Sequence, residues 1–188
     1  MKFLGSKTIE TERLILHKTE ETDLKKLWSI LLLEEVSKYY LTAKINTDWE
    51  KEKIWQMKKL QKASNLDTFI WTIELKDSKD VIGQISLHPT DKDNIMDIGW
   101  FLDPSFHKKG YAYEAALNVL KYMFLECDLE KIETCVCKKN PNSYHLMEKL
   151  GFERQDTTRM IKYTLLDTEE ECFNYDLTKE DFIKKKEG

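Results

Sequence analysis

The spacing of hydrophobic residues changes within the first third of the chain. In Thr11–His17, apolar and polar residues alternate, which is typical of a half-buried β-strand. After Thr22, apolar residues recur every three or four positions, and this spacing returns from about Asp48 to Ser64, so two amphipathic helices are predicted. The second helix is expected to bury its large apolar residues, which are Trp49, Ile54, Trp55, Met57 and Leu60.

Alternating segments in the middle of the chain predict most of a β-sheet. Phe69–Leu75 and Val81–Leu87 are separated by a polar break and predict a hairpin, and Ile95–Leu102 predicts a fourth strand. A helix is predicted from Tyr111 to Glu126 and a fifth strand from Lys131 to Cys137. Because a strand, a helix and a strand follow one another, these last three segments predict a right-handed parallel crossover.

The last quarter of the chain has clear helix-boundary residues. Asn140 suits an N-cap, Pro141 the first helical position and Gly151 the residue after the helix end, so a short helix is predicted over Asn140–Leu150. Two further strands are expected within residues 152–166 and 170–177. Together these elements predict an α/β protein with a mixed sheet.

Size and charge narrow the possible function classes. The chain has 188 residues, the size of one ordinary domain. Its 30 basic and 34 acidic side chains are interspersed, which gives no broad basic face, so no nucleic-acid partner is expected. The N-terminus has no apolar signal region and no stretch is apolar enough to cross a bilayer, so no membrane association and a cytoplasmic location are expected.

The four cysteines do not have the spacing of a metal site. Cys135 and Cys137 form a C-x-C pair, and Cys127 and Cys172 are isolated from it in sequence. There is no second pair and no histidine cluster beside them. We therefore expect buried, reduced thiols and no metal.

One short segment has the composition of a phosphate-binding turn. His107-Lys-Lys-Gly-Tyr-Ala112 lies between a predicted strand and the start of a predicted helix. A helix N-terminus offers unpaired N–H groups and a positive dipole end, and Gly110 allows close approach of an anion, while Lys108 and Lys109 add positive charge. Neither the P-loop nor the G-x-G-x-x-G motif is present. Taken alone, one glycine before a helix favours an ordinary helix start.

Three segments taken together resemble the GNAT superfamily of acyl-CoA-dependent N-acetyltransferases. They are Asp97–Ala115, Asn140–Ser143 and Glu148–Phe152. Thr11–Leu16 and Phe173–Lys179 are similar to the RimJ/RimL branch of ribosomal-protein N-terminal acetyltransferases. The resemblance extends over nearly the whole chain, from about residue 8 to residue 182.

The resemblance implies a specific architecture. We expect residues 1–188 to form a single N-acetyltransferase domain of the GNAT type, with its core at about residues 8–182. The fold would be a mixed, mostly antiparallel sheet of about seven strands with helices on both faces. The fourth and fifth strands, which are parallel, would splay apart.

The resemblance also implies an acetyl-CoA site. The pyrophosphate loop of the family maps onto His107, Lys108, Lys109, Gly110, Tyr111 and Ala112. His107 departs from the Arg or Gln that the family has at the first position. The pantetheine arm would lie in the splay, bonded like an extra strand to the backbone at Trp100, Phe101 and Leu102, and Asn140 would also contact it.

Direct acetyl transfer requires a base, because an ammonium group cannot attack a thioester. Asp97 is the preferred catalytic base, since it lies mid-strand beside the expected splay and matches a position that is often acidic in the family. The alternative interpretation is a solvated strand residue. Glu74 and Glu34 are reserve candidates.

The group that protonates the leaving thiolate is less clear from the resemblance. Many GNAT proteins use a tyrosine, but Met147 occupies that position here. The RimJ/RimL-like pattern implies Ser143 as a catalytic and cofactor-contacting residue, directly or through water. A helix-capping hydroxyl is the alternative role of Ser143, and Tyr144 is a further candidate for the acid.

The function that follows is transfer of the acetyl group of acetyl-CoA to a primary amine in a ternary complex. The acceptor partner would be a protein N-terminus or a small-molecule amine, and the less periodic aromatic residues Tyr39, Tyr40, Trp49 and Trp100 are expected to form its groove. The alternative function is a catalytically idle acyl-CoA-binding sensor or partner-binding module. A homodimer is an expectation from the general frequency of two-fold assemblies.

Overall fold

A computed structural model describes residues 1–40, 45–64, 68–163 and 166–187. Within these residues the chain forms one eight-stranded sheet and six α-helices. The strands are β1 (Ile9–Glu10), β2 (Leu14–Lys18), β3 (Phe69–Leu75), β4 (Val81–Pro89), β5 (Ile95–Leu102), β6 (Lys131–Cys137), β7 (Glu153–Tyr163) and β8 (Thr168–Thr178). The helices are α1 (Glu21–Leu31), α2 (Glu34–Ser37), α3 (Trp49–Ser64), α4 (Tyr111–Lys121), α5 (Pro141–Leu150) and α6 (Lys179–Glu187).

The sheet has the order β1-β2-β3-β4-β5-β6-β8-β7. Neighbouring strands are antiparallel except β5 and β6, which are parallel and are connected through α4. The predicted mixed, mostly antiparallel sheet with one parallel crossover is therefore confirmed. The predicted number of about seven strands is corrected to eight, because Ile9–Glu10 pairs with β2. A strand of two residues is too short to produce a detectable alternation.

The two faces of β5 pack against different helices. Ile98 belongs to the main core, which also contains Val119 of α4. Phe101 points the other way and packs with Leu27 and Ile30 of α1. Helices therefore cover both faces of the sheet, as predicted. The largest fully buried side chains are Trp71, Tyr122, Tyr175, Phe69 and Phe124.

Helix α4 does not keep a regular α-helical pattern to the end of its predicted range. The α-helix ends at Lys121, and Tyr122–Glu126 forms one π-helical turn. The Tyr122 hydroxyl donates to the carbonyl of Gly5 at 2.6 Å, so this turn is joined to the N-terminal segment. Helix α5 begins at Pro141 with Asn140 as its N-cap, as predicted.

The prediction that α3 buries its large apolar residues is wrong. Ile54 and Trp55 are 60% and 51% exposed, and Trp49, Met57 and Leu60 are only partly buried. Instead, Glu52 faces inward and is 2% exposed. Its carboxylate accepts hydrogen bonds from the backbone of Asn46 at 3.0 Å and from Gln56 at 2.7 Å. A cavity of about 740 Å³ also lies between α3 and the β3 side of the sheet.

The cysteines are free thiols, and Cys127, Cys137 and Cys172 are buried while Cys135 is partly exposed. In the described ranges, no group of three or more histidine, cysteine or acidic side chains is arranged to hold a metal ion. No helix in these ranges is long and apolar enough to cross a membrane.

Candidate active site

A split between β5 and β6 forms the centre of the candidate site. The two strands pair only at Ile95 with Lys131 and Met96 with Ile132. Beyond that point the Thr134 hydroxyl donates to the Ile98 carbonyl at 3.2 Å. The other edge of β5 stays paired with β4 as far as Leu102. The edge of β5 that faces the split can therefore accept an extended ligand as an additional strand.

The backbone of the residues predicted to contact pantetheine lies along this edge. Trp100, Phe101 and Leu102 are the last three residues of β5. Phe101 and Leu102 are buried, whereas Trp100 is partly exposed. The side chain of Trp100 packs against the main core, on the face of β5 opposite Phe101. The prediction that Trp100 shares an aromatic groove with Tyr40 is therefore wrong.

The start of α4 lies just beyond the end of β5. Gly110 is the N-cap and has φ of 83°, and Lys108 has φ of 60°. The first backbone bond of the helix runs from the N–H of Glu114 to the carbonyl of Gly110 at 3.0 Å. The amides of residues 111–113 precede that bond and have no acceptor within the helix. Together with the helix dipole, they form an arrangement that favours an anion.

His107 is used within the protein. Its backbone N–H donates to the carbonyl of Pro104 at 3.0 Å. Its Nε2 lies 3.1 Å from the carbonyl oxygen of Leu102. Because a carbonyl only accepts, this imidazole nitrogen must be the donor. The His107 side chain therefore ties the loop to the end of β5, and the groups that remain available to an anion belong to Lys108–Ala112.

Arg13 and Glu114 hold the same loop from the β2 side. The Arg13 guanidinium is 2.7 Å from the Glu114 carboxylate and donates to the Lys109 carbonyl at 2.9 Å. It also lies 4.5 Å from the centre of the Tyr111 ring. Sequence reasoning missed this contact. Arg13 and Glu114 are separated by about a hundred residues, and no local pattern connects them.

Asp97 lies at the apex of the split, one residue after the last parallel pair. Its side chain keeps access to solvent. Desolvation by the surrounding protein nevertheless raises the pKa of this carboxyl group. The nearby Thr134 hydroxyl, the charge of His88 when it is protonated and the charge of Arg159 offset part of the rise. A carboxylate with a raised pKa is a better proton acceptor than an ordinary aspartate.

A polar cluster continues from Asp97 along β4. His88 is directly opposite Asp97 in the sheet register, and its Nε2 lies 3.0 Å from the hydroxyl of Ser86. Burial lowers the pKa of His88, and the nearby positive charge of Lys59 lowers it further. His88 is thus a neutral imidazole at neutral pH. The position of His88 beside Asp97 was not foreseen from the sequence.

Tyr40 covers the same cluster from the α1 side. Its ring centre is 5.1 Å from that of Phe101, and its Cε2 would be 3.6 Å from a Cβ atom added to Gly99. Burial raises the pKa of Tyr40 to about 12, although a hydrogen bond with Ser86 opposes the rise. Tyr40 is therefore protonated and is well placed to form one wall of an acceptor groove.

The other predicted groove residues pack against aromatic rings of other elements. Tyr39 packs edge-on against Tyr163 at 6.1 Å between ring centres. Trp49 packs against Trp28 at 5.3 Å, which joins the start of α3 to α1. A small cavity of about 60 Å³ lies between α1, α3 and β5 and is lined in part by Tyr40, Glu52 and Phe101.

Asn140 and Ser143 meet at the start of α5. The Asn140 side chain accepts from the backbone N–H of Ser143 at 3.4 Å, so the capping bond uses the amide of Ser143 and not its hydroxyl. That hydroxyl makes no hydrogen bond with the described part of the chain, which leaves it available to a ligand. Met147 is 2% exposed and packs in the main core.

The remaining acid and base candidates are less suitable. Tyr144 packs edge-on against Phe173 with ring centres 5.8 Å apart. Glu74 lies on β3, which β4 separates from β5, and is near His17 and Lys79 at 3.9 and 3.6 Å. Glu34 is exposed at the start of α2.

Known proteins resemble this chain in sequence. A family model described as an acetyltransferase (GNAT) domain matches residues 13–153. The uncharacterized N-acetyltransferase YnaD of Bacillus subtilis is 31% identical over 147 residues, which are 78% of this chain and 83% of YnaD. The uncharacterized N-acetyltransferase YoaA of the same organism is 28% identical over 82% of this chain and 88% of YoaA.

Solved structures show the same fold. A GNAT-family acetyltransferase from Bacillus anthracis has a TM-score of 0.77 and 26% identity, over 92% of this chain and 99% of its own. Two Vibrio cholerae structures are similar in fold alone. One is a putative ribosomal-protein-serine acetyltransferase, with a TM-score of 0.71 and 15% identity over 95% and 99% of the chains. The other is a mutant of spermidine N-acetyltransferase SpeG, with a TM-score of 0.74 and 17% identity. The match covers 91% of this chain and 98% of the SpeG chain.

Proposed function

Because the chain belongs to the GNAT family of acetyltransferases, we propose that it transfers the acetyl group of acetyl-CoA directly to a primary amine while both substrates are bound. Family membership makes the chain an acyltransferase, and enzymes of this fold use acetyl-CoA as the acyl donor. The donor site, the catalytic residues and the acceptor are the parts that we propose for this chain.

One observation supports the donor site more than any other. The β5–β6 split and the open N-terminus of α4 lie at the same end of β5. A pantetheine arm bonded along Trp100–Leu102 would thus lead to a diphosphate at the amides of Lys108–Ala112. Asn140, at the start of α5, lies at the end of β6, on the other side of the split. The residues present fit the donor, and the exposed lysines of the loop complement its negative charge.

The chemistry follows from the reactivity of a thioester. The neutral amine attacks the thioester carbonyl carbon, a C–N bond forms and the C–S bond breaks. Because the backbone of Phe101 faces Gly83 of β4, a β5 N–H that faces the split, at Trp100 or Leu102, would stabilise the oxyanion. Asp97 would take the proton that the amine loses, directly or through water. Ser143, directly or through water, would supply a proton to the leaving thiolate.

The acceptor is a primary amine that belongs to one of two classes, a protein N-terminus or a small molecule. The motifs shared with the RimJ/RimL branch favour a protein N-terminus, and one similar structure is named for a ribosomal protein. Another is named for spermidine, a small amine. The groove beside Tyr40 and Asp97 is the region in which we expect either acceptor to bind.

A thiol-release assay tests this proposal. Wild-type protein is incubated with acetyl-CoA and a panel of peptides with free N-termini, polyamines and other small amines, and free CoA is measured. We expect release that depends on one class of amine, with the acetylated product detected by mass spectrometry. Donor binding without release for any amine would contradict acetyl transfer and favour an acyl-CoA-binding sensor. No donor binding would contradict the donor site itself.

A further inference from the structure

Arg13 lies behind the proposed diphosphate loop and contacts several parts of it. Its guanidinium donates from Nη1 to the Lys109 carbonyl at 2.9 Å and from Nε to the Glu114 carboxylate at 2.7 Å. Its Nη2 would be 3.3 Å from a Cβ atom added to Gly110. The guanidinium also covers the ring of Tyr111. Arg13 therefore fills one side of the loop, and only the other side is open to a ligand.

The bond to Lys109 sets the orientation of a peptide group. The carbonyl of Lys109 and the N–H of Gly110 belong to the same peptide plane, and the chain has no cis peptide bond among its described residues. In a trans peptide these two groups point in opposite directions. Because Arg13 binds the Lys109 carbonyl, the Gly110 N–H must point away from Arg13. That direction is the open side of the loop.

The ion pair of Arg13 with Glu114 neutralises a carboxylate near the proposed diphosphate site. Glu114 is in the first turn of α4, close to where a diphosphate would bind. Its carboxylate also accepts from the Thr11 hydroxyl at 2.6 Å and from the Arg13 backbone N–H at 2.8 Å. Partial burial opposes its ionisation, but these bonds and the Arg13 charge together lower its pKa. Without the Arg13 side chain, this carboxylate would keep its bonds to Thr11 and to the backbone of residue 13, but its negative charge would no longer be neutralised and would repel a second anion.

We propose that Arg13 is a positioning residue for the donor: it fixes the Lys109–Gly110 peptide with its N–H toward the diphosphate and neutralises Glu114, without touching the donor. This inference rests on the proposed function, since it requires the diphosphate at the start of α4. The effect is confined to the diphosphate. It does not extend to the pantetheine arm, which would bind along β5.

The experiment compares two ligands and four proteins. CoA affinity is measured by calorimetry, and pantetheine, which lacks the diphosphate, is titrated by protein NMR. The proteins are wild type, Arg13→Ala, Arg13→Lys and Lys76→Ala. The last is a matched control, because Lys76 forms a similar exposed ion pair with Glu10 at 3.2 Å but has no contact with the loop. Thermal unfolding of each variant checks that it is folded.

We expect Arg13→Ala to weaken CoA binding by about ten- to a hundredfold, the usual loss for a hydrogen bond to a charged group. Pantetheine affinity should stay within twofold of wild type. Arg13→Lys keeps the charge but not the planar fork of donors. Its CoA affinity should therefore lie between that of wild type and that of Arg13→Ala. Lys76→Ala should match wild type.

Two outcomes would overturn the inference. In one, Arg13→Ala, or Arg13→Lys if the alanine variant does not fold, binds CoA as tightly as wild type. In the other, CoA and pantetheine weaken equally, which would mean that Arg13 only supports the fold. Absence of CoA binding to the wild-type protein is a different result, because it contradicts the proposed function from which this inference starts.

Discussion

The proposed donor side and the proposed acceptor side of the β5–β6 split are built in different ways. On the donor side, backbone amides at the start of α4 form the binding surface, and His107 and Arg13 hold the loop with hydrogen bonds to backbone carbonyls. On the proposed acceptor side, Tyr40, Ser86 and His88 contribute side chains. The proposed donor site is thus built from backbone amides, whereas the proposed acceptor site is built from side chains.

This difference explains which half of the function the sequence reveals. A backbone cradle depends on a local motif, because a helix start and a glycine at positive φ are set by neighbouring residues. A wall of side chains depends on distant segments that meet only after folding. Acceptor specificity should therefore respond to changes in α1, α3 and β4, and donor affinity should respond to changes in the α4 loop.

Substitution of Gly110 should have the largest effect and lies entirely on the donor side. Gly110→Glu strains a residue with φ of 83°, crowds Arg13 and adds a negative charge beside the diphosphate. We expect acetyl-CoA binding to become undetectable by calorimetry. Gly5→Glu is the control, because Gly5 has φ of 75° and open space around its added Cβ atom. If Gly110→Glu binds acetyl-CoA as tightly as wild type, the loop at the start of α4 is not the donor site and the contrast between the two sides fails.

Substitution of Asp97 should reduce turnover with little change in donor affinity. Asp97→Asn removes the proposed base, which should lower kcat by about a hundredfold or more. In wild type the rate should rise with pH through the raised pKa of Asp97 and then level, whereas the variant should lack that rise. The measurement is kcat against pH, with Asp176→Asn as control, since Asp176 pairs with Lys131 at 2.7 Å on β8. A variant with wild-type turnover and pH profile would remove Asp97 from the mechanism.

Ser143 should have an intermediate effect. Ser143→Ala removes the proposed proton source for the thiolate but keeps the backbone N–H that Asn140 caps. We expect a loss in kcat of about a hundredfold, the lower end of general-acid effects, and an unchanged melting temperature. Ser29→Ala in α1 is the control, because the Ser29 hydroxyl bonds only to the backbone of Lys26 in the described structure. If kcat is unchanged, Ser143 does not supply the proton.

The smallest predicted effect concerns stability. Because the folded-state pKa of Asp97 is raised, the fold favours the protonated carboxyl group. This stability is fully present below the unfolded-state pKa of aspartate and is lost as the pH rises through the folded-state value. Asp97→Asn should therefore be slightly more stable than wild type at pH 7, by about one or two degrees in Tm, and equal to it at pH 3. A less stable variant at pH 7 would contradict the sign of this shift.

The parts of the fold that local pattern determines were predicted from the sequence. The strands from Phe69 to Cys137 and the caps of α5 depend on alternation and on Asn, Pro and Gly at helix ends. Helix α3 was misjudged because its apolar residues are spaced like a buried stripe. The inward position belongs to Glu52, whose carboxylate is satisfied by Asn46 and Gln56.

The candidate site was only partly predictable, because some of its features are local in sequence and others join distant segments. The loop at Gly110 and the strand position of Asp97 are local features, and the family resemblance gave them roles that remain predictions. The contacts of Arg13 with Glu114 and the position of His88 beside Asp97 depend on the sheet register and the α4 crossover. No spacing rule connects residues that only the folded sheet brings together.

A structure of the protein with acetyl-CoA tests the central claim most directly. The account predicts that diphosphate oxygens lie about 3 Å from backbone nitrogens of Lys108–Ala112, with the pantetheine arm between β5 and β6. Binding of acetyl-CoA at any other place, with the split and the start of α4 left empty at saturating concentration, would contradict it.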